Sequence, residues 1–163
     1  MTQRHYAQFG IFHVTTNTAD KARWCMREGV PQILIETLFL VRSLQQAKLN
    51  AFCILPTHVH LILSPGKNGL SSFMHSFKTN SSKNARNHLS SVQGKDPQKI
   101  SCFSGWQDGF HDERIQTGKQ CGAAMAYVQG NAAKHRIVKE IAEWPWSSIH
   151  FEEFLDSMEM WTE

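Results

Sequence analysis

The first part of the chain alternates between short strand-like segments and one longer amphipathic segment. Residues 9–16 are rich in aromatic and β-branched side chains, which predicts a strand. Pro31 opens a stretch whose apolar residues recur at the helical period, which predicts a first helix. Residues 50–55 and 58–64 are again strand-like, and only two residues separate them. That spacing predicts a tight antiparallel hairpin.

The second part is more polar and more often interrupted. Residues 70–89 have the spacing of a second helix, followed by a polar loop over 90–99. Residues 103–114 have a strand-like composition that two glycines interrupt, which predicts a bent hairpin. Thr117 can cap a third helix that runs to about His135, although glycines inside it weaken that helix. The first five elements therefore follow the order β, α, β, β, α.

Composition places these elements in one soluble domain. The 163 residues are 41% hydrophobic and 19% charged, enough to bury a single core. No apolar stretch approaches the ~20 residues of a membrane span, and residues 1–10 lack the apolar core of a signal peptide. We therefore expect a cytoplasmic protein. The scattered cysteines favour neither a zinc site nor a disulfide framework.

Charge divides the chain near residue 150. Residues 1–150 hold all 17 Lys and Arg against nine acids, whereas residues 151–163 hold five acids and no Lys or Arg. We therefore predict one domain over 1–150 and an acidic C-terminal tail over 151–163. A basic body suits a polyanion such as DNA or RNA, although many modestly basic proteins bind neither.

Two histidines stand two residues apart in the strongly apolar strand 58–64. Side chains at i and i+2 of a strand share a face, so His58 and His60 project together while Val59 and Leu61 face the opposite way. Two imidazoles at this spacing can share one metal ion. Because the chain has nine histidines, an ordinary surface or core position is the alternative.

The third predicted helix carries one of the two tyrosines in the chain. Tyr127, Asn131 and Lys134 follow one another at about one helical turn and share a face. That face offers a phenol, an amide oxygen and a cation in a row. A tyrosine on such a face is more often a half-buried packing residue. We expect Trp144 and Trp146 to pack in the core.

Together these motifs resemble the HUH single-strand nucleases with one catalytic tyrosine. Among them they are most similar to the REP-associated tyrosine transposases, which are relatives of the small insertion-sequence transposases. The resemblance extends over about residues 9–151. It rests on segments in a shared order, namely FHVT at 12–15, LPTHVHLIL at 55–63, GWQDGFHDERI at 105–115, Tyr127 with Asn131 and Lys134, and WPWSS at 144–148.

The resemblance implies an α+β fold, a ferredoxin-like or RRM-like antiparallel sheet with helices. The histidine strand lies in the sheet and the tyrosine on a later helix. His58 and His60 match the two metal-binding histidines, and Asn131 matches the third, polar ligand. Tyr127 matches the nucleophile, and Mg²⁺ or Mn²⁺ is the implied cofactor.

The implied activity is that of a transposase-like DNA endonuclease and strand transferase. It acts on single-stranded or hairpin (palindromic repeat) DNA and forms a 5′-phosphotyrosine intermediate. A free phenol has a pKa near ~10 and attacks a phosphodiester poorly unless the phosphate is polarised and held in line. A divalent metal would do both. The family contains monomers and homodimers, and the sequence does not separate them.

The chain departs from the family pattern at Ala132, at the residues 128–130 between Tyr127 and Asn131, and after the FHVT segment. Ala132 follows Asn131 where the family has proline, a change that a helix tolerates. The arginine that commonly follows FHVT is absent, since Thr16 and Asn17 stand in that neighbourhood. This last departure affects DNA recognition more than chemistry.

The candidate DNA-backbone contacts are cations of the second helix, of its following loop and of the segment after Asn131. A solvated helix face is the alternative for the first group. These residues are Lys78, Lys83, Arg86, Lys95, Lys99, Lys134 and Arg136.

Two other functions stay open at this level. One is a catalytically inactive binding domain for structured DNA or RNA, derived from a transposase. The other is a metal enzyme that acts on a small molecule through the histidine pair, which would leave the basic surface and Tyr127 unexplained.

Overall fold

A computed structural model describes residues 9–92 and 103–158 of the chain. Four strands and four helices account for its regular structure, together with short 3₁₀ turns. The strands are β1 (Ile11–Asn17), β2 (Lys48–Ile54), β3 (His58–Ser64) and β4 (His111–Ile115). The helices are α1 (Val30–Gln45), α2 (Gly69–Val92), α3 (Gly118–Gln129) and α4 (Asn131–Lys134).

The four strands form one antiparallel sheet in the order β2-β3-β1-β4. Consecutive strands β2 and β3 make the predicted hairpin, in which the Leu55 N–H donates to the His58 carbonyl at 2.9 Å. The α+β class and the antiparallel sheet with helices are therefore confirmed. Strands β1 and β3 lie in the middle of the sheet, so polar side chains on either strand are held by neighbours on both sides.

Helices cover both faces of the sheet and define two apolar clusters. On the first face, α1 and α2 pack on every second side chain of the strands. Val59, Leu61 and Leu63 of β3 are among these side chains. On the second face α3 packs on a smaller cluster that includes Ile62 and Ile115. Each fully buried Leu or Phe contributes about 1.5–3 kcal/mol. The smaller cluster leaves part of the second face for polar side chains.

The prediction of a bent hairpin over 103–114 is wrong. Only β4 is a strand there, and it pairs with β1, which is distant in sequence. Gly105 and Gly109 have φ of 72° and 76°, a left-handed conformation that glycine adopts without strain and that turns the chain. Between them Trp106 makes one isolated bridge with Thr18. The segment is therefore a folded loop that leads into β4.

The predicted third helix is divided in two. Thr117 accepts a hydrogen bond from the Gln120 N–H, as expected of a cap, and completes a capping box. The helix stops at Gln129, and α4 begins at Asn131. Gly130 lies at the junction, where the low helix propensity of glycine favours an end.

The C-terminal segment covers the outer edge of β2. Trp146 accepts through its carbonyl from the Ile54 N–H at 2.9 Å, and the indole N–H of Trp144 donates to the Ile54 carbonyl at 2.8 Å. Further along, Asp156 accepts from the Leu49 N–H at 2.9 Å through its carboxylate. Residues 151–158 of the predicted acidic tail therefore pack on the body, and an exposed strand edge is covered.

Cys25, Cys53 and Cys121 are buried and are not in disulfide bonds, and Cys102 lies outside the described residues. Within residues 9–92 and 103–158, no helix is both long enough and apolar enough to cross a bilayer.

Candidate active site

The second face of the sheet carries a row of polar side chains on its two central strands. Thr15 of β1 lies directly opposite His60 of β3 in the register. His13 and His58, two residues away on the same strands, share that face because side chains alternate along a strand. His60 is only 4% exposed, so the row extends into the interior.

Hydrogen bonds orient the two histidines of β3. The Nδ1 atom of His60 is 3.1 Å from Nε2 of His13 and 3.1 Å from the Thr15 hydroxyl. The Nδ1 atom of His58 is 3.1 Å from the Thr57 hydroxyl. In both rings the Nδ1 side is engaged by the protein, which leaves Nε2 as the nitrogen for a ligand. The ring centroids of His58 and His60 are 5.0 Å apart.

Burial keeps these imidazoles neutral near pH 7. It lowers the pKa of His60 to about 3, with a further lowering by the neighbouring histidines and Lys134. Burial also lowers the pKa of His58, reinforced by His135 and opposed by the nearby Asn131 amide. The pKa of His13 is lowered by burial as well, against an opposing effect of Glu113. A neutral imidazole is the form that binds a metal.

Asn131 brings a buried amide to the same place. Its side chain is 0% exposed and lies close enough to His58 to raise the pKa of that ring, but neither Oδ1 nor Nδ2 makes a hydrogen bond of normal geometry among the described residues. A buried amide without a good hydrogen bond costs about 1–3 kcal/mol, a cost that a polar ligand at this position would offset. Within residues 9–92 and 103–158 no three His, Cys, Asp or Glu side chains converge as metal ligands. The Asn131 amide lies beside His58, so an amide group stands next to the imidazole pair.

Tyr127 packs its ring against the histidine row from α3. Its centroid lies 5.4 Å from that of His60 and 5.5 Å from that of His13, both in edge contacts. The side chain is 37% exposed, so the phenol is accessible from solvent. The Lys134 ammonium lies 4.4 Å from the centroid of the Tyr127 ring.

A cavity of about 590 Å³ opens beside the phenol, between β4 and α3. His111 and Glu113 of β4 line it, together with Gln120 of α3 and the small side chains of Ala123 and Ala124. Tyr127 is therefore accessible from this side of the sheet.

The sequence matches a known protein family. The sequence model of the family described as Transposase IS200 like matches residues 10–131, more than half of the chain. The chain belongs to this family. The matched region contains the histidine row, Tyr127 and Asn131.

Individual family members are similar over most of the chain. Identity is 24% over 150 residues with a REP-associated tyrosine transposase of Escherichia coli strain K12, which covers 91% of this chain and 81% of that protein. Identity is 28% over 106 residues with a protein of Haemophilus influenzae Rd that is provisionally named a REP-associated tyrosine transposase. This match covers 61% of this chain and 57% of that protein.

A solved structure of a REP-associated tyrosine transposase bound to a REP hairpin shares the fold. The TM-score is 0.71 at 23% identity, and the match covers 93% of this chain and 83% of that chain. At this identity the likeness shows the fold alone.

The described basic residues that were predicted to contact DNA lie in two places. Lys134 and the exposed Arg136 belong to or follow α4, and Lys134 is beside Tyr127. Lys78, Lys83 and Arg86 line a groove of about 660 Å³ between α2 and the 106–110 loop. Because α2 covers the first face of the sheet, this groove is separate from the histidine row. Lys95 and Lys99 lie outside the described residues.

The cations of the groove are not equivalent. Lys78 donates to the carbonyls of Gln107 and Gly109 at 2.7 and 2.6 Å, and burial lowers its pKa. It therefore holds the loop in place. Lys83 and Arg86 are exposed, and the Arg86 guanidinium lies 5.2 Å from the Phe103 ring centroid.

Three residues of the site were not predicted from the sequence. His13 and Thr15 belong to the FHVT motif, and their i, i+2 spacing on a predicted strand signalled a shared face. His135 has its ring centroid 5.7 Å from that of His58, and it follows Asn131 by four residues. Only the pairing of β1 with β3 shows that His13 contacts His60.

Proposed function

We propose that this protein is a metal-dependent DNA endonuclease and strand transferase in which Tyr127 is the nucleophile. Its substrate is single-stranded or hairpin DNA, and its intermediate is a 5′-phosphotyrosine. The observation that supports this proposal best is the contact of the accessible Tyr127 ring with His60, beside the buried amide of Asn131.

His58, His60 and Asn131 would hold a divalent metal through two imidazole nitrogens and one amide oxygen. When bound, Mg²⁺ or Mn²⁺ supplies Lewis-acid polarisation of the scissile phosphate and holds it in position. The mixed nitrogen and oxygen donor set suits Mn²⁺ at least as well as Mg²⁺. The low pKa values of the histidines keep both rings available as ligands at neutral pH.

The phenolic oxygen of Tyr127 attacks the phosphorus, and the bond from phosphorus to the bridging 3′ oxygen breaks. The tyrosine becomes joined to the 5′ phosphate, and the other strand leaves as a free 3′-hydroxyl that has gained the phenolic proton. The Lys134 ammonium beside the ring stabilises negative charge on the phenolic oxygen during attack. Because one phosphate ester replaces another, the same site can rejoin strands without ATP.

The DNA partner is supported by similarity and by charge. A relative with this fold has been solved with a REP hairpin bound. In the present chain Lys83 and Arg86 offer exposed cations for the phosphate backbone, whereas Lys78 is engaged with the loop. Lys134 and Arg136 offer further cations on the side of the nucleophile.

The test is adduct formation with a 3′-labelled library of single-stranded hairpins in Mn²⁺ or Mg²⁺, resolved on denaturing gels. The label is on the 3′ side because a 5′-phosphotyrosine retains that piece. Tyr127→Phe removes only the nucleophilic oxygen. Tyr6→Phe is the matched control, since Tyr6 and Tyr127 are the two tyrosines of the chain.

We expect a metal-dependent shifted band with the parent protein and with Tyr6→Phe, and none with Tyr127→Phe. Binding of hairpins should stay within a few-fold in all three. Retention of particular hairpins by the parent without any adduct would contradict the nuclease. That outcome would instead identify a binding domain for structured DNA, derived from a transposase.

A further inference from the structure

His13 lies where the metal-ligand row and the nucleophile meet. Its Nε2 atom is 3.1 Å from Nδ1 of His60, and the two ring centroids are 5.2 Å apart. Its ring also makes an edge contact with Tyr127, at 5.5 Å between centroids. His13 thus contacts a proposed metal ligand and the proposed nucleophile, although the proposed function gives it no role.

We propose that His13 is a positioning residue that fixes the tautomer and ring orientation of His60 for metal binding. The proposal rests on the function proposed above, because it assigns a role within the same site. It makes His13 neither a ligand nor a nucleophile. Its effect passes through the hydrogen bond to Nδ1 of His60 and through the packing of Tyr127.

The hydrogen-bond inventory of His60 supports this role. A neutral imidazole has one N–H donor and one acceptor nitrogen. If Nε2 of His60 is to bind a metal, the proton must lie on Nδ1, where it needs an acceptor. The two groups within reach are Nε2 of His13 and the hydroxyl of Thr15, each at 3.1 Å.

The two acceptors differ in what they impose. A hydroxyl rotates and can donate or accept, so Thr15 is compatible with either tautomer of His60. The Nε2 atom of a neutral His13 accepts when its own proton is on Nδ1. The His13 ring is also held against Tyr127, at 5.5 Å between centroids. It therefore restrains the ring of His60 more firmly than the rotating Thr15 hydroxyl does.

The ring contact with Tyr127 gives His13 a second effect on the same site. Edge contacts between aromatic rings contribute about 0.5–1.5 kcal/mol beyond burial. Tyr127 has such contacts with both His13 and His60. Because both rings restrain the phenol, the orientation of the Tyr127 side chain depends on His13 and His60 together.

A pair of substitutions of similar size separates the hydrogen bond from the packing. His13→Leu keeps an apolar side chain against Tyr127 and removes the acceptor. His13→Gln places an amide oxygen near the position of Nε2 and restores an acceptor. His88→Leu is the matched control, because His88 lies on α2 and its ring bonds the Glu28 carbonyl at 2.9 Å.

The first readout is Mn²⁺ affinity of the tag-free full chain, measured by loss of the free Mn²⁺ EPR signal. The second is the rate of adduct formation at saturating Mn²⁺ and varied hairpin concentration. We expect His13→Leu to weaken Mn²⁺ binding about 10–100-fold, in line with other residues that orient metal ligands. Mn²⁺ affinity should return to within a few-fold in His13→Gln and be unchanged in His88→Leu. The hairpin concentration at half-maximal rate should stay at the parent value.

Mn²⁺ affinity at the parent level in His13→Leu would overturn the positioning role. A folded His13→Gln that loses as much affinity as His13→Leu would overturn it too, even if His13→Leu failed to fold. A parent that binds no Mn²⁺ would remove the metal site of the proposed function, and the positioning role with it. A parent that binds Mn²⁺ but forms no adduct would contradict the nuclease alone.

Discussion

Replacement of Asn131 by leucine should make the metal-free protein more stable while it disables the site. Asn131 is fully buried, and neither polar atom of its amide makes a hydrogen bond of normal geometry among the described residues, His58 being its polar neighbour. Leucine has a similar size and no polar atoms. The substitution therefore removes a desolvation penalty that the folded protein carries when no ligand is bound.

The magnitude follows from the two atoms involved. An unsatisfied buried amide costs about 1–3 kcal/mol, and an imperfect fit of the branched side chain returns up to about 1.5 kcal/mol. We expect a net gain of about 1 kcal/mol. In a chain of this length that corresponds to a rise in Tm of about 2–4 °C. Added Mn²⁺ at about 100 times its Kd should stabilise the parent by about 2.7 kcal/mol and the variant by much less.

Urea denaturation in EDTA and in Mn²⁺ measures both effects. Asn50→Leu is the matched control, because Asn50 is 4% exposed and, although its Oδ1 has no hydrogen bond among the described residues, its amide nitrogen donates to the Asp156 carbonyl at 3.0 Å. That substitution should destabilise the protein by about 1 kcal/mol or more. If Asn131→Leu lowered the stability in EDTA by as much as Asn50→Leu, the amide would have a partner in the free protein and the reasoning would be refuted.

Three further outcomes are expected. The pKa of His60 falls from 6.5 in the unfolded chain to about 3 in the folded protein. Its contribution to the stability is therefore complete above pH 6.5 and is lost as the pH falls towards 3. Chemical denaturation in EDTA should show ~2 kcal/mol less stability at pH 5 than at pH 7, and a flat pH profile would contradict this prediction. The double substitution Lys83→Gln and Arg86→Gln should weaken hairpin binding. It should also reduce the slope of log Kd against log salt concentration by about 0.7–0.9 per lost phosphate contact, measured by titration at several salt concentrations. An unchanged slope would exclude the α2 groove as a DNA-binding surface. Trp144→Phe should cost about 1–2 kcal/mol in a thermal melt because the Ile54 carbonyl loses its donor; no change in Tm would show that this bond contributes nothing.

Local patterns predicted the elements whose side chains repeat with one clear period. Alternation along 58–64 placed His58 and His60 on one face and Val59 and Leu61 on the other, as the structure shows. The spacing of Tyr127 and Asn131 likewise predicted their common approach to the site. The prediction for 103–114 was wrong, because a strand there needs a partner and β1, far away in sequence, provides it.

The sequence by itself determined which chemical groups the site contains, namely the histidine pair, the phenol and the amide. Strand and helix periods depend on backbone geometry alone, so a short stretch of chain carries that information. Only the tertiary structure decided that His13 contacts His60, 47 residues away, and that Lys78 donates to loop carbonyls. It also decided that Asn131 is buried without a hydrogen bond of normal geometry among the described residues. These properties depend on strand register and on packing between distant segments, which no local pattern encodes.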